Sequence, residues 1–428
     1  HLLAISGMNL AFLVGFVFAL VRGSIALVAP VALRVNSKKV AALVSLPVAF
    51  FYLLLSGANV ATERAFIMVA VMLGAVLLDR AAITLRSVAV AGTVILLWQP
   101  EALLEPGFQM SFAATVALVA GFEAFGKLVE RRALPRFLPA LLTVLLSSLI
   151  GGLATAPYAA AHFNRFTDYG LLANLLTVSV MGAVVMPAGA MAAILAPFGL
   201  AAPALWVMEQ GSRWILFVAD WIAGLEGAVT GIPAPPPAVL PLVTLGALWL
   251  ILWPFRERWA GVVPVVAALW LWHGAARPIL LVDPTARLAG LVTEEGRSLS
   301  RARGEGFTAT NWLENDGDLT VQEVAALRAG FTETPLGLGF IVAGRRGLLL
   351  AEGADAAAAC ATHDLVISGA AVAGATGPCR LIGADVLSRS GTLAFHLQGD
   401  ALHMTPTRNA RRMWSMPDAG GLDLPPVQ

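Results

Sequence analysis

Charge is scarce in this 428-residue chain, because only 13% of the residues are Asp, Glu, Lys or Arg, whereas 58% are hydrophobic. A soluble domain carries about a quarter charged residues, so the composition excludes a protein that is soluble throughout, a disordered regulator and a fibrous chain. Lysine is absent from residues 277–428, which hold 13 Arg and 16 Asp or Glu, whereas residues 1–276 hold 15 Lys or Arg and 11 Asp or Glu. The opposite net charges of the two parts indicate two environments.

The apolar run that opens the sequence is not predicted to be a signal peptide. His1 stands inside an apolar run that no basic segment precedes, and no methionine opens it. We therefore expect the chain to be a fragment whose true N-terminus is missing.

Long apolar runs fill residues 1–273, and a helix needs about 20 such residues to cross a bilayer. They predict a polytopic α-helical membrane protein of about ten spans, followed by a soluble domain at 274–428. Two of the spans are short for a crossing and could be longer helices or re-entrant segments buried by their neighbours. The candidate spans are 2–21, 40–55, 64–79, 86–98 (short), 108–122, 138–160, 171–195, 204–224, 238–253 and 260–273 (short).

Basic residues are distributed unequally between alternate loops. Twelve lie on one side, and only Arg64 and Arg165 lie on the other. Cytoplasmic loops carry the excess of Lys and Arg, so the first side is predicted to be cytoplasmic. An even number of spans then places residues 274–428 on the far side, the periplasm of a bacterium. The twelve are Arg22, Arg34, Lys38, Lys39, Arg80, Arg86, Lys127, Arg131, Arg132, Arg136, Arg256 and Arg258.

Polar residues interrupt the apolar segments in four clusters, where burial in lipid would be costly. Each cluster has a purely structural alternative: helix capping, a turn before a helix, or hydrogen bonds between helices. Four clusters in one bundle favour a polar path or cavity. The candidate pore-lining or helix-break residues are Ser6, Asn9, Glu63, Arg64, Glu105, Gln109, Ser111 and Asn174.

Three ordered motifs carry a family resemblance: HLLAISGMN at 1–9, SGANVATERAFIM at 56–68 and LLEPGFQMSF at 103–112. Residues 1–272 resemble the ComEC-type competence proteins, which are channels for DNA internalisation in the bacterial inner membrane. The resemblance implies that one DNA strand passes to the cytoplasm while the other is degraded outside. It also implies an upstream OB-like domain, a periplasmic DNA receptor and a cytoplasmic DNA-translocating ATPase.

In the tail, short β-like runs such as 347–351 and 391–395 alternate with glycine-rich turns, which predicts an α/β domain. The resemblance implies a metallo-β-lactamase-like nuclease at this position. Such a site needs closely spaced His and Asp ligands. The tail holds only His363, His396 and His403, and it has no His-x-His-x-Asp-His motif. We therefore expect a degenerate lactamase-like domain that is not an enzyme and binds neither metal nor cofactor.

Cys360 and Cys379 are the only cysteines. An oxidising compartment would favour a disulfide between them, and two free buried thiols are the alternative.

Together with the resemblance, these observations predict a channel that moves single-stranded DNA across the inner membrane in contact with lipid, and they leave a homo-oligomer open. No glycine-rich nucleotide-binding loop is present, so a partner must supply the driving force. The alternatives are a secondary transporter or lipid exporter, for which the polar clusters would form a small-solute site, and a nuclease that acts through the tail.

Overall fold

The computed structural model describes residues 7–130, 137–371 and 379–408. Contacts divide the chain into two units, one of residues 1–162, 166–230 and 240–265, and the other of 163–165, 231–239 and 266–428. The first unit is mainly helical, and the second contains the strands of two five-stranded sheets. Two short strands, β1 (Arg165–Thr167) and β2 (Val229–Gly231), pair with each other.

Helices occupy each of the ten predicted spans. The span predicted at 171–195 comprises α8, one π-helical turn at Met181–Val185, and α9. The helices are α1 (Gly7–Leu27), α2 (Ala29–Ala32), α3 (Ser37–Leu55), α4 (Val60–Leu77), α5 (Leu85–Trp98), α6 (Pro106–Glu130), α7 (Phe137–Phe163), α8 (Gly170–Val180), α9 (Met186–Leu195), α10 (Ala202–Ala223), α11 (Val239–Leu252) and α12 (Val262–His273).

Six helical segments are long and apolar enough to cross a membrane by length and composition. The chain is therefore a polytopic membrane protein with a C-terminal soluble α/β region. Helices α5 and α11 are apolar but have 14 residues each, and α12 has 12. The six segments are Gly7–Leu27, Ser37–Leu55, Val60–Leu77, Pro106–Gly126, Leu142–Phe163 and Gly170–Phe198.

Polar residues ahead of the apolar runs determine where several helices begin. The Asn59 side chain accepts a hydrogen bond from the Thr62 amide at the start of α4. Asn36 and Thr84 cap α3 and α5 in the same way. An N-cap oxygen satisfies amides that have no partner within the helix, so the sequence fixes these boundaries locally.

Small residues allow the first helices to pack closely. Leu10 and Val14 of α1 are buried against α3 and α4, and a β-carbon on Gly7 would lie 2.8 Å from the Cβ of Ala65 in α4. Close backbone approach through small residues is typical of helix packing in membranes. It brings the first turns of α1 and α4 together.

The C-terminal unit is a sandwich of two sheets. Its elements are β3 (Leu280–Val282), β4 (Ala289–Thr293), β5 (Gly296–Leu299), α13 (Gly306–Asn315), α14 (Gln322–Ala325), β6 (Phe331–Thr334), β7 (Gly337–Val342), β8 (Arg345–Leu350), α15 (Ala356–Thr362), β9 (Leu365–Ile367), β10 (Arg380–Ile382), α16 (Ala384–Ser390), β11 (Leu393–Gln398) and β12 (Ala401–Pro406). One sheet has the antiparallel order β12-β11-β3-β4-β5. The other has the order β10-β9-β8-β7-β6, in which β8, β9 and β10 are parallel.

The core of the sandwich lies between the sheets, and helices cover both outer faces. Leu280 and Val282 of β3 pack in the core between the sheets, whereas Leu281 contacts the buried side of α13. Cys360 of α15 is buried against Leu348 of the other sheet. Successive side chains of a strand point to opposite faces, so a strand covered on both sides reads as an unbroken apolar run. The result is a four-layer helix–sheet–sheet–helix arrangement.

Candidate functional site: a polar cluster at the start of α4 and α6

Arg64 and Glu105 form the centre of the cluster. Nη1 of Arg64 donates to Oε2 of Glu105 over 2.7 Å, and the Arg64 side chain is only 8% exposed, whereas that of Glu105 is 40% exposed. A guanidinium buried this deeply needs a charged or hydrogen-bonding partner. Glu105 supplies it from the residue just before α6.

Gly107 makes room for the guanidinium. A β-carbon at this position would overlap Nη2 of Arg64. The glycine in the Glu105-Pro106-Gly107 sequence therefore has a packing role, which the sequence pattern alone predicted only as a turn. Pro106 is the first residue of α6, where its missing N–H costs nothing.

Glu63 turns away from its neighbour Arg64. Its Oε2 accepts a hydrogen bond from Nε2 of Gln99, at 3.3 Å. The two adjacent charges thus bind different elements, Gln99 at the end of α5 and Glu105 at the start of α6. Gln99 was not among the sequence candidates, and its position just before Pro100 at a helix end was the available signal.

Gln109 connects α6 to the end of α7. Its Nε2 donates to the carbonyl oxygen of Leu103 at 3.0 Å, so its Oε1 is the atom that lies 2.8 Å from Nε2 of His162. An amide oxygen only accepts, so the His162 ring must carry its proton on Nε2. Ser111 lies further along α6, with its Oγ 4.0 Å from Sδ of Met68.

The other candidates lie apart from this network. Asn9 is buried among α1, α3 and α4 and is hydrogen-bonded to Tyr52. Asn174 is half-buried in α8, and among the described residues it has no hydrogen bond to the cluster. Ser6 lies outside the described residues. The structure therefore brings together Glu63, Arg64, Glu105 and Gln109, together with Gln99 and His162. Ser111 lies further along α6, beside Met68.

The cluster lies at one end of the bundle. It is formed by the beginnings of α4 and α6 and the ends of α5 and α7, and these connections all fall on the side with few basic residues. Its side chains offer amides, an imidazole and a neutralised guanidinium. This set can exchange hydrogen bonds with a polar or anionic ligand.

The same region matches a known family. The family model for the competence proteins, described as "Competence protein", matches residues 1–257, more than half of the chain. The chain belongs to the competence protein family. ComE operon protein 3 of Bacillus subtilis (strain 168) is 27% identical over 257 residues, which are 59% of this chain and 30% of that protein. The chain thus aligns with less than a third of this relative's length.

No solved structure matches the chain. Membership of the family, together with the span-length helices, makes this chain a membrane protein of the competence protein family.

Two histidines of the C-terminal unit are cross-strand neighbours, and the third lies in another segment. His396 of β11 lies opposite His403 of β12, and His363 follows α15. Among the residues described here, no group of three or more His, Cys, Asp or Glu side chains could hold a metal ion. The donor set of a two-metal hydrolase does not fit these positions. Cys360 and Cys379 are joined in a disulfide that links α15 to the residue before β10.

Proposed function

We propose that this protein is a DNA-uptake channel that passes a single strand across the bacterial inner membrane during natural transformation. The proposal is carried by the Arg64–Glu105 cluster, which combines a buried cation, amides and an imidazole at one end of the bundle, within the region that matches the competence family. Phosphates of an incoming strand would compete with Glu105 for Arg64, because a guanidinium binds phosphate and carboxylate with the same geometry.

The proposed bundle has ten spans with the cluster at its periplasmic end. Within the C-terminal unit, Arg165 forms an ion pair with Glu314, and the Ala234 amide donates to the carbonyl oxygen of Asn315 at 2.8 Å. Residues in contact share one side of the membrane. These contacts support a topology in which the α7–α8 connection, the α10–α11 connection and the tail lie on one side, with an even number of crossings between each and the next.

The distribution of basic residues among the loops and the disulfide of the tail both support the periplasm as the side on which the tail lies. The opposite loops hold the excess of Lys and Arg, which marks the cytoplasm. The Cys360–Cys379 disulfide is typical of an oxidising compartment. Both observations support a location of the tail outside the cytoplasm.

The proposed tail is a degenerate metallo-β-lactamase-like domain without nuclease activity. Its helix–sheet–sheet–helix layers and mixed sheet support the fold, and the lack of a group of three metal ligands among its described residues supports the loss of metal chemistry. No hydrolytic step is assigned to it. It would serve as a docking or structural module for a periplasmic DNA receptor.

The driving force would come from a cytoplasmic DNA-translocating ATPase. The basic loop between α1 and α3 offers it a surface, or offers one to the emerging strand or anionic lipid. Arg34 and Lys38 are exposed there, whereas Nζ of Lys39 is held by Asp79 at 2.6 Å.

The test is deletion of the gene in a naturally transformable host, followed by separate measurement of labelled DNA in the periplasm and the cytoplasm. We expect DNA to reach the periplasm but not the cytoplasm. Complementation with Arg64→Gln should fail, whereas Arg80→Gln, which changes an exposed loop residue, should restore uptake. Normal cytoplasmic entry in the deletion strain would refute the channel and favour a secondary transporter or lipid exporter.

A further inference from the structure

A cleft opens at one end of the mixed sheet in the C-terminal unit. Strands β6, β8 and β9 run in the same direction, because β7 is antiparallel to both β6 and β8, and β9 is parallel to β8. They therefore begin at one end of the sheet, which is where the cleft lies. Its volume of about 410 Å³ is within the range of small-molecule pockets, about 300–1,000 Å³.

Most of the lining is apolar or consists of backbone. Leu291, Phe340 and Ile341 contribute hydrophobic surface. The side chain of Ile341 is 68% exposed, so a bound apolar group would remove hydrocarbon surface from water. The cleft can therefore hold the apolar body of a small molecule. The remaining space is left by residues without a side chain, namely Gly330, Gly339 and Gly347.

Arg346 brings a cation to the cleft. Its side chain is 66% exposed, and its Nε lies 4.0 Å from Oδ2 of Asp364, an oxygen that accepts from the Arg346 amide at 2.8 Å. Among the described residues, the Nη atoms of Arg346 have no hydrogen-bond partner. The neighbouring Arg345 differs, because its Nη2 donates to the Asp400 carbonyl oxygen at 2.8 Å. Arg346 thus keeps the donors with which a guanidinium binds an anion.

His363 lines the same cleft. Its Nδ1 lies 3.2 Å from the carbonyl oxygen of Ala359 in α15. A carbonyl oxygen only accepts, so Nδ1 carries a proton. Nε2, on the other edge of the ring, has no hydrogen-bond partner within the ranges that the structure describes. In the neutral ring Nε2 accepts a hydrogen bond from a ligand, and in the charged ring it donates one.

We propose that this cleft binds a small phosphate monoester with an apolar substituent. The guanidinium of Arg346 binds two phosphate oxygens, and Nε2 of His363 shares a proton with a third. Thr332 lies in the same lining and adds a hydroxyl donor. The apolar substituent lies against Ile341 and its hydrophobic neighbours in the cleft.

The shared proton selects a phosphate monoester among anions. The second pKa of such an ester is about 6, so the form that keeps its last proton and the form that has lost it are both present near this pH. The first form donates to a neutral imidazole, and the second accepts from a charged one. Ionised carboxylates, sulfate esters and phosphodiesters have no proton to donate, so a neutral Nε2 meets only their lone pairs. The DNA backbone is a phosphodiester and is therefore disfavoured as the occupant.

Calorimetric titration of the purified full-length chain in detergent, at about pH 6, tests the site with a matched pair of ligands. Phenyl phosphate and phenyl sulfate share an apolar ring, but only the phosphate keeps a proton at this pH. We expect phenyl phosphate to bind about tenfold or more tightly than phenyl sulfate, because hydrogen bonds to charged groups are strong. Inorganic phosphate, which lacks the ring, should bind more weakly than phenyl phosphate.

Substitutions in the lining separate the two roles. Arg346→Gln should weaken the binding of both esters by about tenfold or more. Arg345→Gln is the matched control and should bind like the natural chain, because this adjacent arginine is held by the Asp400 carbonyl oxygen. His363→Ala should remove the preference for phosphate over sulfate, a change that a purely structural role of the residue would not produce.

The proposal would be overturned if phenyl phosphate did not bind, if Arg345→Gln and Arg346→Gln lost affinity equally, or if His363→Ala kept the full preference for phosphate. An oligonucleotide with a hydroxyl group at each end contains only diesters and should not displace phenyl phosphate. Displacement would assign the cleft to the DNA backbone and would also overturn the proposal. The titration involves no transport of DNA, so its outcome is independent of the proposed function.

Discussion

Gly107 and Arg64 occupy one space: the guanidinium lies where the β-carbon of any other residue at 107 would be. Glu105, two residues earlier in the chain, binds the same guanidinium over 2.7 Å. The loop before α6 thus supplies both the counter-charge and the gap that allow a cation to be buried at the start of α4.

The packing role of Gly107 can be tested by a substitution that adds one methyl group. Gly107→Ala should displace Arg64 from Glu105 and lower the free energy of unfolding by about 1–3 kcal/mol, the usual cost of overpacking. It should also reduce transformation frequency. Gly74→Ala is the control, because nothing lies within 4 Å of its β-carbon and alanine favours the α4 helix. Equal losses in the two variants, measured by thermal unfolding of purified protein, would contradict this packing role.

We expect substitution of Arg297 to cause the largest loss of stability from a single change in the C-terminal unit. Its side chain is fully buried, pairs with Asp316 and donates to the Gly290 carbonyl oxygen at 2.8 Å. Arg297→Ala leaves the mostly buried Asp316 with only part of its charge compensated, so we expect a loss of about 3–5 kcal/mol in denaturant unfolding. Arg389→Ala removes a half-exposed ion pair and should change stability little.

The disulfide predicts a dependence on reductant. Cys360 and Cys379 are 19 residues apart, and closing a loop of this size is worth about 3 kcal/mol in the chain-entropy treatment. The double variant Cys360→Ser, Cys379→Ser should melt at a lower temperature than the natural chain. Dithiothreitol should lower the melting temperature of the natural chain and leave the variant unchanged. If dithiothreitol left the melting temperature of the natural chain unchanged, that result would argue against the disulfide.

Acid should weaken the C-terminal unit through His396. Burial, together with the charge of Arg277, holds the pKa of His396 below its ordinary value. Between that ordinary value, about 6.5, and the lower folded value, the unfolded chain binds more protons than the folded one. The free energy of unfolding should therefore fall as the pH falls below about 6.5. His396→Gln should make the free energy of unfolding less dependent on pH in this range. An unchanged slope in the variant would show that other groups cause the pH dependence.

Much of the architecture was predictable from local sequence. The apolar runs at 64–79 and 86–98 predict helices, and the structure has α4 and α5 there, capped by Asn59 and Thr84. The runs at 347–351 and 391–395 predict β-like segments, and the structure has β8 and β11 there. These features depend on hydrogen bonds and burial patterns within a few residues, so they can be predicted from composition and periodicity. The number of crossings is less determined, because α5, α11 and α12 are shorter than a bilayer requires.

The pairing of the polar groups was decided by tertiary structure alone. Glu63 and Arg64 are neighbours in sequence, and sequence reasoning considered them as one pair. The helix turns them to different sides, so that Arg64 meets Glu105 and Glu63 meets Gln99, residues 41 and 36 positions away. Partners at such separations depend on how α4, α5 and α6 pack, which no local pattern encodes. The sequence by itself therefore determined that this chain lies in a membrane and which residues are chemically unusual there, and only packing determined which of them act together.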